Sequence, residues 1–328
     1  MLKKHFFKIL LGCLISAFLI YLAFKDIDFP SFFSALADTK YHILIFAVIC
    51  ICLTYITRSL RYYFIILPIK KTRVFENFPY LVLGFFMNNV VPLRLGELVR
   101  AKITGERLGI SRSAALATVV VERLLDIVAY VIFFFLIANV LPFPKIVKGS
   151  FIFCAVLFGL MLAVLFLISV HDKKSVVILS KLPLPKKIKD FALSLIHKFI
   201  AGLLILKSKK DFLLAFLLSF LVWTFESTAL LIVAWACGIS LSLVDGIFVV
   251  IIIGISGIIP TAPGYIGAFE LAGITSLGVL GVGENSAVAC ILIFHVLSIF
   301  TNFSLAAFSI IKEKISFSDL FKFEEIGE

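Results

Sequence analysis

Charged residues are scarce in this chain. Of its 328 residues only 16% are Asp, Glu, Lys or Arg, whereas 62% are hydrophobic. A soluble globular domain has about 25% charged and about 45–50% apolar residues, so this chain has too little polar surface to cover a body in water. Disorder is excluded for the same reason. The long, nearly uncharged runs predict an integral membrane protein built from helices, because barrel strands would alternate in polarity.

Residues that carry catalysis or bind metals are also few. The five histidines and six cysteines make no metal-ligand spacing, and the chain has no phosphate-binding loop of the Walker type. An acidic pair, Asp26 and Asp28, stands where membrane glycosyltransferases that use polyprenyl-phosphate sugars commonly place metal ligands. Its loop is short and more typical of a solvated interfacial segment. We therefore expect no cofactor and no metal.

Six apolar segments are predicted to cross the bilayer, at 6–24, 42–60, 113–139, 150–170, 212–236 and 285–311. With a cytoplasmic N terminus, 26 of the 31 Lys and Arg residues lie inside and 4 outside. This asymmetry obeys the positive-inside rule and predicts a multi-pass protein of the cell membrane with both termini in the cytoplasm. The basic, amphipathic linker 171–211 is predicted to lie along the cytoplasmic interface. Topology thus accounts for the net charge of +11, and no nucleic-acid partner is expected.

Two further apolar segments are too short for complete spans. Segment 75–91 ends at Pro92 and is followed by the charged segment 93–110; segment 243–259 ends at a Pro/Gly break and is followed by 265–280. The span count requires each pair to begin and end on one face of the membrane. We therefore predict two re-entrant half-helix hairpins that enter from opposite faces, buried in protein or lining a polar cavity. The alternative is two ordinary kinks within eight complete spans.

A weak internal similarity supports the pairing of these hairpins. Leu108-Gly-Ile110 before Ser113 matches Leu280-Gly-Val282 before Ser286. The fold predicted is an all-α polytopic membrane domain over residues 1–328, with inverted repeats at about 42–139 and about 212–311 and a polar groove between the halves. Interrupted hydrophobic segments at corresponding positions of two inverted halves point to a substrate site near the bilayer midplane.

Helix starts at the breaks and ionisable groups within spans are the candidate site residues. A helix start attracts anions, and in a bilayer the natural anion is a lipid phosphate. One break carries Arg94, and the other carries Gly264 and Gly267. Ionisable groups at membrane depth are costly and usually functional. They are Glu122, Arg123, Asp126, Glu226, Glu270 and His295.

We expect Arg123 to pair with Glu226 or Glu270. Two other interpretations stay open: Arg94 as a surface arginine that only sets topology, and a buried ion pair with a purely structural role.

Three motifs in order resemble one family. They are Asn88-Asn89…Pro92-x-Arg94-x-Gly96-Glu97-x-x-Arg100, Ser111…Glu122-Arg123-x-x-Asp126, and Pro260-Thr-Ala-Pro263-Gly264-x-x-Gly267-x-x-Glu270. Over about residues 5–312 the chain resembles the lysylphosphatidylglycerol synthase/flippase-like transmembrane family. The resemblance implies a flippase-type domain. In its best-known members the lipid is aminoacylated phosphatidylglycerol, and the result is antimicrobial peptide resistance. The resemblance adds Asn89, Glu97 and Arg100 to the substrate-binding candidates.

Two departures from that family bear on function. Its best-known members continue into a soluble aminoacyl-transfer domain, whereas this sequence ends at Glu328, soon after the last predicted span. We therefore expect no lysyl transfer by this chain itself, although a separate aminoacyl-transferase or glycosyltransferase could be its partner. The family often has an arginine in the final span where this chain has His295, a side chain that can change its charge.

The function predicted is that of a lipid translocase. Arg94, Arg123 and the helix start at 264–267 would hold the phosphate of a phospholipid or lipid-linked headgroup. The carboxylates would balance charge or receive a cationic headgroup; they are Glu97, Glu122, Glu226 and Glu270. Two alternatives stay open: an enzyme or subunit of lipid modification, by lysyl transfer or polyprenyl-phosphate glycosyl transfer, and a coupled transporter of a small solute.

Overall fold

The described part of the chain is entirely helical. The structure, a computed structural model, describes residues 2–91, 95–138 and 208–316 together with Leu320. Within these residues there are ten α-helices, two 3₁₀ turns and no strand. Span 150–170, nearly all of the linker 171–211 and the segment 92–94 with Arg94 lie outside the described residues.

The helices are numbered here in chain order. They are α1 Leu2–Phe24, α2 Phe29–Ala37, α3 Leu44–Ile66, α4 Phe78–Val90, α5 Gly96–Leu108, α6 Arg112–Ile137, α7 Lys209–Ala236, α8 Leu243–Ser256, α9 Ala268–Val279 and α10 Glu284–Glu313. The 3₁₀ turns are Tyr41–Ile43, which leads into α3, and Pro263–Tyr265, which lies between α8 and α9.

Three of these helices are long and apolar enough to cross a membrane. They are α3 with its preceding turn, α7 and α10, with mean hydropathies of 2.2, 1.9 and 2.1. Helices α1 and α2 qualify only as a pair, and the chain bends by 86° between them. Helix α6 covers the predicted span 113–139, but Glu122, Arg123 and Asp126 stand in its middle. The predicted all-helical membrane fold is confirmed, and the number of spans stays a prediction.

Pairs of short helices occupy the positions of the two predicted hairpins. Helices α4 and α5 form the first pair, and α8 and α9 form the second. Helix α8 begins with a capping box, in which Ser242 and Asp245 each bond the backbone N–H of the other. Gly267 precedes α9 with a φ of 92°, a backbone conformation that suits glycine. Whether either pair dips into a membrane from one face stays a prediction.

The described residues cluster into two compact units. The first unit takes its residues from Met1–Ile56, Val82–Gly96 and Leu221–Lys322. The second takes its residues from Thr57–Leu81 and Glu97–Phe220. The boundaries of the two inverted repeats stay a prediction.

In the first unit, α9 packs against α1, α8 and α10, and α2 packs against α10. Helices α9 and α10 approach closely at Gly273, where a Cβ would lie 2.6 Å from the side chain of Ile291. This contact brings the first turn of α9 beside the middle of α10, where the first unit carries its buried acid and histidine.

In the second unit, α6 is central. The Tyr62 hydroxyl of α3 lies 2.8 Å from the Thr118 hydroxyl of α6, and the rings of Phe133 on α6 and Phe220 on α7 meet edge to face at 5.2 Å. These contacts hold α6 against the end of α3 and the start of α7. The charged residues of α6 lie along this packed region.

Candidate functional site

A fully buried arginine joins two carboxylates of α6. Glu122 and Asp126 are four residues apart, so they share one face of the helix. Arg61 Nη1 lies 2.6 Å from Asp126 Oδ1, and Arg61 Nη2 lies 3.1 Å from Glu122 Oε1. Arg61 has no exposed surface and also donates to the Ser219 hydroxyl at 3.0 Å. The buried charges of α3 and α6 therefore neutralise one another.

Helix α5 adds a second buried arginine. Arg100 Nη2 donates to Glu122 Oε2 at 2.7 Å, so the Glu122 carboxylate is bound by one arginine at each oxygen. The guanidinium of Arg100 lies 3.9 Å above the ring of Tyr62, within the range of a cation–π contact. The predicted site residues Arg100 and Glu122 are thus brought together.

Arg123 and Glu97 form the accessible edge of this group. Arg123 Nε lies 3.0 Å from Glu97 Oε1, and the two side chains are 26% and 24% exposed. Arg123 Nη1 also donates to Asp126 Oδ2 at 3.1 Å. We call the six residues the charge cluster; they are Arg61, Arg100, Arg123, Glu97, Glu122 and Asp126.

The buried ion pairs of the charge cluster support its accessible edge, Arg123 and Glu97. Buried charges are tolerated when each one is paired and hydrogen-bonded, and breaking one such pair leaves an uncompensated charge. The six residues are three guanidinium groups and three carboxylates, and a fourth buried guanidinium, that of Arg58, lies 4.0 Å from Asp126 Oδ2. Arg123 and Glu97 are consequently fixed in position while part of each side chain stays accessible.

The first unit carries a separate buried pair at the start of α9. Glu270 Oε2 accepts the Gly267 N–H at 2.7 Å, and Glu270 Oε1 lies 2.6 Å from His295 Nδ1 on α10. The ring of Phe269 stacks on the imidazole, with centroids 3.9 Å apart and planes 10° apart. One carboxylate therefore connects the imidazole to the backbone at the helix start.

Helix α1 fastens the break that precedes α9. The Ser16 hydroxyl donates to the Ile266 carbonyl at 2.7 Å and accepts the Ala262 N–H at 2.8 Å, so it bridges both ends of the turn. A Cβ on Gly267 would lie only 2.8 Å from the Ser16 carbonyl oxygen. The break is thus held in one conformation by contacts with α1.

Replacing Ser16 with alanine tests this attachment. Because both bonds go to backbone groups of the break, we expect Ser16→Ala to lower the free energy of unfolding by about 1–3 kcal/mol. Ser304→Ala is the matched control, since Ser304 is exposed and bonds only within its own helix, and it should change stability by less than about 0.5 kcal/mol. Unfolding of both variants in detergent measures the difference, and equal stabilities would contradict the role given to Ser16.

The end of α4 and the break before α9 are in contact within the first unit. At the end of α4, Asn89 Nδ2 donates to Asn302 Oδ1 on α10 at 2.9 Å. A Cβ on Gly264, whose φ is 74°, would lie 3.8 Å from the Asn89 carbonyl oxygen. The end of α4 and the break before α9 therefore lie side by side.

The described contacts add ionic partners that the sequence did not name. Glu97 and Asp126 lie at Arg123, and His295 lies at Glu270. Glu97 reaches Arg123 from α5, and His295 reaches Glu270 from α10, so each of these contacts joins neighbouring helices. The pairing of Arg123 with Glu226, which is half-buried on α7, or with Glu270 stays a prediction.

Three important residues were missed from the sequence. Arg61 was counted as a cytoplasmic loop charge, although α3 continues past it to Ile66. Ser16 and Asn302 are uncharged and carry no sequence signal beyond their position in an apolar span. For Arg61 a signal existed, because an apolar run resumes directly after it.

The acidic pair Asp26 and Asp28 is engaged in local structure. Asp28 caps α2 by accepting the Ser31 N–H at 3.1 Å, and its carboxylate also contacts the Ser31 hydroxyl. Asp26 forms an exposed pair with Lys25 at 3.4 Å. Among the described residues there is no group of three or more His, Cys, Asp or Glu side chains that could hold a metal ion.

Long apolar helices, short helix pairs and buried paired charges define the class: this is an integral membrane protein of helical type. The chain belongs to the family described as the lysylphosphatidylglycerol synthase TM region, whose model matches residues 9–306.

Curated relatives come from two archaea. A UPF0104 membrane protein of Methanocaldococcus jannaschii is 24% identical over 216 residues, which are 66% of this chain and 89% of the relative. A UPF0104 membrane protein of Methanothermobacter thermautotrophicus is 26% identical over 262 residues, which are 76% of this chain and 77% of the relative. No solved structure matches the chain.

Proposed function

We propose that this protein is a lipid translocase, which moves a phospholipid headgroup between the leaflets of the cell membrane. The observation that carries the proposal is the part-exposed Arg123–Glu97 pair at the edge of the buried charge cluster. The family itself is a membrane region of the lysylphosphatidylglycerol synthase type, so a phospholipid is the natural partner. An aminoacylated phosphatidylglycerol is one candidate, and resistance to antimicrobial peptides would then be the physiological result.

The chemistry of the edge suits a phosphate. Arg123 and Glu97 are each about a quarter exposed, so a phosphate that reaches Arg123 can compete with the Glu97 carboxylate while the bond from Arg123 to Asp126 stays in place. A guanidinium binds a phosphate through two parallel hydrogen bonds, as it binds a carboxylate. When the phosphate takes the place of Glu97, the released carboxylate can bind a cationic part of the headgroup.

The proposed translocase has a defined membrane orientation and two inverted repeats. Both termini would lie in the cytoplasm, as the asymmetry of 26 inside against 4 outside Lys and Arg residues favours. The pairs α4–α5 and α8–α9 would be the re-entrant hairpins of two inverted repeats. Their contact through Asn89 and Gly264 supports this arrangement, because broken helices at membrane depth must be buried in protein.

A quenching assay in proteoliposomes tests the proposal. Vesicles carry a fluorescent analogue of phosphatidylglycerol or of an aminoacylated phosphatidylglycerol, and a membrane-impermeant reductant removes the fluorescence of the outer leaflet. We expect wild-type protein to expose lipid of the inner leaflet, and Arg123→Gln to slow this by about 10- to 100-fold, since bonds to charged groups contribute about 1.5–3 kcal/mol.

Arg112→Gln is the matched control for this assay. Arg112 also belongs to α6 and also forms an ion pair, with Glu106 at 3.1 Å, but it lies at the exposed start of the helix. It should move lipid at the wild-type rate. Identical traces from empty vesicles and wild-type vesicles for every lipid would contradict translocation, and equal rates for Arg123→Gln and wild type would contradict the role of the charge cluster.

A further inference from the structure

The buried pair in the first unit differs chemically from the charge cluster. Its members are a carboxylate and an imidazole, Glu270 and His295, and each residue is about 5% exposed. Arginine keeps its proton at all ordinary pH values, whereas imidazole gains and loses one under physiological conditions. The pair can therefore change its net charge by one unit at a buried position.

We propose that the His295–Glu270 pair is a proton-binding site and that its proton controls the helix break before α9. The site would also couple lipid movement to a proton gradient, and this coupling rests on the lipid translocation proposed above. The charge cluster does not take part in proton binding.

Loss of the proton has a defined structural consequence. With one proton bound, the pair is neutral overall, as imidazolium and carboxylate. Without that proton it carries one uncompensated negative charge, which is costly in a buried place. The stack of Phe269 on the imidazole at 3.9 Å favours the present orientation of the ring. The added negative charge then acts on the other end of the carboxylate.

That other end is the backbone of the break. Glu270 Oε2 holds the Gly267 N–H at 2.7 Å, and Gly267 closes the turn that Ser16 fastens to α1. A carboxylate that has lost the imidazolium gains from water or from further N–H groups at the helix start. The change therefore passes from His295 through Glu270 to residues 261–267. These residues lie beside Asn89 of α4, so the contact between the two short helix pairs responds to the proton.

Other titratable groups of the first unit stand on the same or neighbouring elements. From α1 to α3 and in their connections these are Cys13, Tyr21, Lys25, Asp26, Asp28, Asp38, Lys40, Tyr41, His42, Cys50, Cys52 and Tyr55. From α7 to the residue after α10 they are Glu226, Cys237, Asp245, Tyr265, Glu284, Cys290, Lys312, Glu313 and Lys314. Asp28 and Asp245 cap their own helices. Glu226, Asp245 and Glu313 are the half-buried acids of this set; Asp245 caps α8 and Glu313 is the last residue of α10, so Glu226 is the one included in the test.

Lipid movement under a pH gradient is the first measurement. Full-length protein in vesicles with fluorescent phosphatidylglycerol is given a gradient of one pH unit in either direction. If one proton moves with each lipid, the steady distribution of the lipid should shift by about tenfold when the gradient is imposed. His295→Gln and Glu270→Gln should lose this shift in the steady distribution, whatever the rate at which each variant moves lipid. Glu284→Gln, an exposed acid on the same helix, should keep it.

Protonation of the imidazole is the second measurement, and it does not depend on lipid movement. Nitrogen-15 histidine spectra of the full chain in nanodiscs report the charge of each ring, and His295→Gln identifies the signal of His295. We expect this signal to change with pH and to change differently in Glu270→Gln. A signal fixed in one form over the pH range of the vesicle assay would overturn the proton site, whether or not lipid moves.

The two measurements separate the two proposals. Vesicles without any lipid movement would contradict translocation, and the spectra would still decide whether His295 binds a proton. If wild-type protein moves lipid but the steady lipid distribution does not change with the pH gradient, the coupling is overturned and translocation is not. The coupling through His295 is also overturned if Glu226→Gln abolishes the change in distribution and His295→Gln keeps it, because the proton would then bind on α7.

Discussion

Arg61→Met is expected to lower the free energy of unfolding by about 3–5 kcal/mol, the usual cost of breaking a buried ion pair by removing one partner. Arg61 is fully buried and binds Asp126 at 2.6 Å and Glu122 at 3.1 Å. Methionine fills similar space but leaves both carboxylates with one fewer cation. Reversible unfolding in mixed detergent micelles, followed by circular dichroism, measures the loss.

Arg112→Met is the matched control for Arg61→Met, because it removes an arginine from an exposed ion pair. The Arg112–Glu106 pair has a similar distance of 3.1 Å, but its side chains are 36% and 49% exposed. An exposed pair contributes less than about 1 kcal/mol, so this variant should unfold almost as the wild type does. Equal losses for Arg61→Met and Arg112→Met would contradict a buried cluster.

The helical fold and the short helix pairs could be predicted because their signals are local. Proline and glycine interrupt helices wherever they stand, and hydropathy is a property of short windows of sequence. The shared face of Glu122 and Asp126 was also predictable, since it follows from helical geometry alone. The structure confirms it, because both carboxylates bind the same arginine.

The partners of the buried charges could not be predicted in the same way. Arg61 is far from Glu122 in sequence, and their pairing depends on how α3 packs beside α6, which local patterns do not contain. Hydropathy placed the end of the span before Arg61, because a charged residue lowers the average of any window that includes it. Continuing the span to Ile66 would have placed Arg61 at membrane depth, where a partner is required.

The partner of Glu270 shows the same limit. Its spacing from Gly267 is that of a capping residue, and this local bond is present at 2.7 Å. Its bond to His295 depends on the close packing of α9 on α10 at Gly273. The sequence therefore named both residues as candidates but not the pair they form.

Gly96→Ala is expected to be the most damaging of the small substitutions, with a loss of about 3 kcal/mol or more. A Cβ at this position would lie 2.2 Å from the Gly84 carbonyl oxygen and 2.5 Å from the Asn88 backbone nitrogen. Both are backbone atoms of α4, so no side chain can rotate to make room. The start of α5 would have to move away from α4. Because Glu97 follows directly, the accessible edge of the charge cluster would be displaced as well.

Gly278→Ala is the control, and it is expected to raise stability where Gly96→Ala lowers it. Gly278 lies in the last turn of α9, and a Cβ there would meet no atom within 4 Å. Alanine loses less conformational freedom than glycine when a helix forms, so this variant should be more stable than wild type by about 0.5–1 kcal/mol. Unfolding of both variants under one set of conditions compares them directly. A Gly96→Ala protein as stable as Gly278→Ala would show that α5 does not begin against the backbone of α4.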